Sequence, residues 1–169
     1  MSWDWLITLF DADHWEGTAT LIAAVVAGVG VLIGFAIDRR VRRSARLAEV
    51  YAGALQAVHD YLEAPYRIRR SSGTAEERFA LVAAISDIQS RLEYYGALLA
   101  TTASDEVYAQ YRVLVAAAKR EAGNAMTDAW TARPTRRNAQ VPLGGPLFAI
   151  PDSKSARDEL LRLMRPSQK

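Results

Sequence analysis

The chain has 169 residues, half of them hydrophobic, with 21 Lys and Arg against 19 Asp and Glu and no cysteine. That length suits one ordinary domain plus a short appendage, and the missing cysteines exclude disulfides, thiolate metal centres and thiol nucleophiles. The net charge of +2 conceals an asymmetry. Residues 1–37 hold four acidic residues (Asp4, Asp11, Asp13, Glu16) and no basic one, so residues 38–169, with 21 basic and 15 acidic residues, carry +6.

Residues 1–17 contain Trp3, Trp5 and Trp15, and Trp3, Leu6, Ile7 and Phe10 recur at helical spacing opposite Asp4, Thr8 and Asp11. This pattern predicts an extracytoplasmic amphipathic leader with its indoles at headgroup depth. Residues 18–37, TATLIAAVVAGVGVLIGFAI, carry no charge and only two threonines as polar side chains. At a rise of 1.5 Å per residue such a run covers about 30 Å, the thickness of a bilayer's hydrocarbon, and predicts a single transmembrane helix. A buried core helix rarely stays apolar around its whole circumference for five turns. A cleaved signal peptide would carry its basic residues before the apolar run, not after it.

Orientation follows from Arg39, Arg40, Arg42, Arg43 and Arg46, which come directly after the run. The positive-inside rule puts them in the cytoplasm and the N-terminus outside, giving a single-pass protein of the cell membrane. Those arginines also attract anionic headgroups, so membrane lipid is an expected partner. Within the run, Thr20, Ala23, Ala27, Gly30 and Gly34 fall within about 80° of one another on a helical wheel. In lipid, close backbone approach across small residues drives association, so this face predicts packing against a second copy or another membrane protein.

Residues 38–133 predict a cytoplasmic antiparallel three-helix bundle into which the membrane helix continues. The first helix carries Leu47, Tyr51, Ala54, Val58 and Tyr61 or Leu62 as its apolar stripe, with Gly53 as a place for a bend and Pro65 as its end. Thr74 and Glu77 form a capping-box pattern for the second helix, whose Phe79, Val82, Ile85, Ile88, Leu92, Tyr95 and Leu99 lead to about Ala100. Ser104 caps the third, with Asp105 and Glu106 at the positive end of its dipole and Val107 or Tyr108, Tyr111, Leu114, Ala118, Ala122, Ala125 and Trp130 on its stripe. It should stop before Pro134. Matched lengths and short connections imply up-down-up packing.

Residues 134–152 hold four prolines and two glycines and predict a strap or linker, with Val141, Leu143, Leu147, Phe148 and Ile150 lying along the bundle. Residues 153–169 predict a C-terminal helix and tail, the helix running near residues 155–164 on Leu160, Leu161 and Met164. The expected fold class is therefore all-α, with one membrane helix, a three-helix bundle and a short C-terminal helix.

The search for chemistry assigns no catalytic, cofactor or metal residue. There is no phosphate-binding loop, dinucleotide fingerprint or nucleophile elbow. His59 and Glu63 have i, i+4 ligand spacing but read as solvated helix-surface groups, and the predicted membrane separates His59 from His14. Asp60, Glu63, Asp87 and Glu93 are carboxylates that no spacing gathers, and Asp87 with Arg91 reads as a surface ion pair. Arg67, Arg69 and Arg70 close the first helix while Arg133, Arg136 and Arg137 follow the third, so an up-down-up bundle gathers them at one end as a patch for an acidic partner. The leading expectation is a membrane-anchored, non-enzymatic adapter or regulator that presents its helical domain to a cytoplasmic protein. Behind it stand a small oligomerising membrane effector and an enzyme with carboxylates converging in the bundle. A membrane-tethered nucleic-acid binder is a further alternative; it would use the same arginines, but no nucleic-acid motif accompanies the charge.

Overall fold

The computed structural model describes residues 15–135, 137 and 146–165, with side chains from residue 25 onward. Among the described residues there are four helices and no strand: α1 Trp15–Arg69, α2 Ala75–Thr102, α3 Asp105–Thr131 and α4 Pro151–Met164. The chain divides into two compact units, Met1–Arg46 and Leu47–Lys169.

In the first unit every side chain from residue 25 to residue 46 is exposed. Val25, Val26, Val29, Val31, Leu32, Ile33, Phe35 and Ile37 each leave half or more of their surface uncovered. Among the described residues no helix is long and apolar enough to cross a membrane. The run expected to do so begins at Thr18, and the side chains of residues 18–24 lie outside the described residues, as do those of the leader over residues 1–17.

The second unit is an all-helical bundle with one core. Ala54, Ala57, Val58, Tyr61, Ala64 and Ile68 of α1 meet Ile88, Leu92 and Leu99 of α2, Val107, Tyr111, Leu114, Ala118 and Ala122 of α3, and Ala156 and Leu160 of α4. Cross-links fix the directions. Arg91 Nη1 lies 2.9 Å from Asp60 Oδ2, and Lys119 Nζ lies 3.0 Å from Glu93 Oε1 while Arg78 stacks over Trp130. Along each neighbouring pair the contacts run in opposite senses, Gly53 against Tyr95 and then Asp60 against Arg91 for α1 and α2, Arg78 against Trp130 and then Glu93 against Lys119 for α2 and α3, so the three helices run up, down and up. The C-terminal helix is more than an appendage, because it lies antiparallel to α3 and shares the core, with Gln110 Nε2 donating to the Ala156 carbonyl at 3.0 Å.

Four local expectations are corrected. Pro65 does not end α1, which runs to Arg69 with the proline inside it. Proline forfeits its own backbone donor and its ring crowds the carbonyl four residues back, yet the helix continues through it. The ladder resumes with Arg70 N–H to the Tyr66 carbonyl at 3.1 Å, while the ring of Pro65 is fully buried and Ile68 joins the core one turn later. Phe79 and Val82 are not core residues, being 77% and 53% exposed. Steps of three residues each rotate by about 300°, so three of them carry Phe79 to the side of α2 opposite Ile88.

Thr74 Oγ1 accepts from Glu77 N–H at 3.3 Å as expected. The Glu77 carboxylate, however, reaches past Thr74 to Ser72, taking its backbone N–H at 2.7 Å and its hydroxyl. Gly53 marks a close approach: a Cβ there would sit 2.2 Å from the Tyr95 hydroxyl, so the absent side chain leaves room for that ring.

Finally, α4 starts at Pro151, earlier than the expected residue 155, although its N-cap Ile150 makes no side-chain capping bond. Pro151 suits the first helical position, where no donor is needed. The cap comes from another helix. Glu121 of α3 accepts from Asp152 N–H at 2.9 Å and Ser153 N–H at 3.1 Å, and also from the Ser153 hydroxyl.

Candidate functional site

In the first unit, Arg39, Arg40, Arg42, Arg43 and Arg46 are all exposed. Arg42 Nε pairs with Asp38 one turn earlier at 2.8 Å. Ala27, Gly30 and Gly34 are exposed too, and a Cβ built on Gly30 or Gly34 meets nothing of this chain within 4 Å. The side chains of Thr20 and Ala23 lie outside the described residues.

The four carboxylates that might have converged are instead spread over three cations. Asp60 and Asp87 both face Arg91, at 2.9 Å and 3.2 Å. Arg91 Nε, although close to Asp87, is buried and not aligned to donate a hydrogen bond. Glu93 pairs with Lys119 and Glu63 with Arg70. His59 is exposed beside a small cavity lined by Leu55, Leu62, Leu114 and Lys154, away from Glu63's cation. Among the described residues no group of three or more His, Asp or Glu side chains has the arrangement to hold a metal ion.

A shallow groove of about 440 Å³ separates α2 from α3, lined by Gly96, Ala97, Tyr108, Arg112 and Ala116, among others. At its floor Tyr111 donates its hydroxyl to the Leu92 carbonyl at 3.1 Å. Burial, with the Glu93 carboxylate a smaller influence, raises the phenol well above its usual value.

In the second unit, arginines gather at the end of the bundle where α1 and α3 finish and α2 begins. Two connections are stitched together there. Thr135 N–H donates to the Ser71 carbonyl and its hydroxyl to the Arg69 carbonyl, both at 3.1 Å. Gly73, at φ 79°, lets Pro134 approach: a Cβ on Gly73 would lie 2.6 Å from the proline ring. On this platform sit Arg67, Arg69, Arg70 and Arg133, with Arg137 exposed nearby in sequence and Arg136 outside the described residues. Arg69 Nη1 donates to the Arg133 carbonyl at 3.1 Å, which brings these two residues together.

One arginine was missed by sequence reasoning. Arg78, in the first turn of α2, lies with its guanidinium carbon 5.2 Å from the centre of the Trp130 ring on α3. With Arg69 and Arg133 it borders a cavity of about 40 Å³ between the two connections. A signal existed in the sequence, because a cation in the first turn of a helix opposes the dipole and calls for another reason to be there.

Comparison of the chain with protein-family models, with curated proteins and with solved structures finds no match.

Proposed function

We propose that the protein is a single-pass membrane adapter, N-terminus outside, whose helical domain in the cytoplasm docks another protein. The observation that carries the membrane half is the uncharged run of residues 18–37 followed by five arginines. The exposure of every described apolar side chain from Val25 to Ile37 supports it, since no described residue covers them and a bilayer would. The docking half rests on a contrast. The carboxylates are spread over separate ion pairs, whereas the arginines are gathered on a stitched platform at one end of the domain.

Reporter fusions after Lys169 test the topology: a reporter active only in the cytoplasm should work there, and activity of a translocated reporter would reverse the orientation. Purification of the full chain in non-ionic detergent, with its co-purifying molecules identified, tests docking. A discrete folded partner is expected. Nucleic acid alone would favour the tethered nucleic-acid binder, and large oligomers of this chain alone the membrane effector.

A further inference from the structure

The arginine-bordered cavity at the end of the bundle deepens the docking proposal and rests on it. Among the described residues, Arg67, Arg69, Arg78 and Arg133 form no ion pair, as is also true of Arg39, Arg40, Arg43, Arg46, Arg112, Arg137 and Arg165, whereas Arg42, Arg70, Arg91, Arg120, Arg157 and Arg162 all do. Part of this charge has a local explanation. Arg67 and Arg69 lie in the last turn of α1, where cations suit the negative end of the dipole, and Arg69 serves the Arg133 carbonyl. Arg78 has no such explanation, because it stands at the positive end of α2. Stacking on Trp130 holds its guanidinium in place and leaves its N–H fork available at the cavity rim.

We infer that this cavity, bordered by Arg78 and Arg133, receives a carboxylate side chain from an acidic segment of the protein partner. Charge complementarity selects the occupant: two guanidinium groups that form no ion pair among the described residues border a recess of about 40 Å³, roomy enough for an oxyanion. The platform is built before the partner arrives, since the Thr135 bonds and the Gly73–Pro134 contact fix the backbone from which Arg133 projects. A pre-organised pair of cations loses less freedom on binding than arginines on frayed helix ends would.

The test uses the full chain in non-ionic detergent and an oligoglutamate peptide bearing a photo-crosslinker, with adducts mapped by mass spectrometry. Crosslinks should concentrate on residues 69–78 and 130–135. The double variant Arg78→Ala/Arg133→Ala should lower their yield about tenfold, as expected for two lost ion pairs at a partly exposed site. The charge-matched Arg157→Ala/Arg165→Ala variant, at two exposed arginines of the C-terminal segment, should leave that yield unchanged, and circular dichroism should show equal helicity in all three proteins. Arg78→Lys keeps the charge without the planar fork and should give an intermediate yield. Adducts elsewhere, or a yield indifferent to Arg78 and Arg133, would overturn the inference. So would displacement of the peptide by single-stranded DNA at lower concentration than by unlabelled oligoglutamate. A co-purified partner whose contact survives the double variant would sink this site and leave docking intact. Absence of any partner would sink the docking proposal itself.

Discussion

From Val25 to Ile37 α1 is apolar on every side and no described side chain is covered, whereas from Leu47 to Arg69 the same helix turns Ala54, Val58, Tyr61 and Ile68 into a core and leaves its other faces polar. A stripe states that a helix has a partner on one side, and a helix needs no more than its own chain to satisfy it. An unbroken apolar surface states that the partner surrounds it, which a small chain cannot provide. Apolar content alone would not separate the two stretches. The angular distribution does.

The comparison breaks if core and exposed apolar residues respond alike. Leu114→Ala, at a fully buried position, should cost roughly 2–5 kcal/mol of bundle stability, read by urea unfolding of the detergent-solubilised chain. Leu32→Arg, at an exposed position, should leave that unfolding unchanged yet shift the protein out of the membrane fraction, since a central arginine costs a membrane helix about 3 kcal/mol. A Leu32→Arg protein that still fractionates fully with membranes would remove the case for insertion.

Within the bundle, Glu121→Ala sharpens the contrast between helices that cap themselves and one capped by a neighbour. It leaves Asp152 and Ser153 N–H and the buried Ser153 hydroxyl without their acceptor, at a cost of roughly 1–3 kcal/mol. Hydrogen exchange should quicken over residues 151–164 and stay slow in α2. Uniform quickening would mean that α4 is not separately latched.

The smallest effect concerns Tyr111. Tyr111→Phe loses the bond to the Leu92 carbonyl, about 1 kcal/mol near pH 8. Below about pH 10 the phenol is neutral whether folded or unfolded and its titration contributes nothing. Above that, the unfolded chain releases the proton while the folded one retains it, so stability falls as pH rises. The variant should therefore decline less steeply than the parent as pH rises above about 10. Parallel declines would assign the alkaline loss to other groups.

Much of the bundle was legible because helices α1 and α3 keep true helical spacing, as Val107, Tyr111, Leu114, Ala118 and Ala122 show by all being buried. The Thr74 and Ser104 caps were legible for the same reason: their signals lie within four residues. Errors arose where the deciding partner is distant in sequence. The steps of three from Phe79 drift around α2, and only packing reveals which part of the drift is buried. Pro65 looked terminal because its burial depends on other helices. The approach of Arg69 to Arg133 at one end was legible from topology, but the part played by Arg78 depends on Trp130, which no local pattern links to it.

The capping of α4 by Glu121 has a consequence for the order of assembly. A helix of 14 residues is marginal in water by itself, and here the acceptor that defines its first turn belongs to α3. The start of α4 is thus specified only once α3 is formed and in place. Synthesis delivers α3 first, so the last helix of the domain completes the fold by docking, and its local structure and its tertiary contacts appear as one cooperative event.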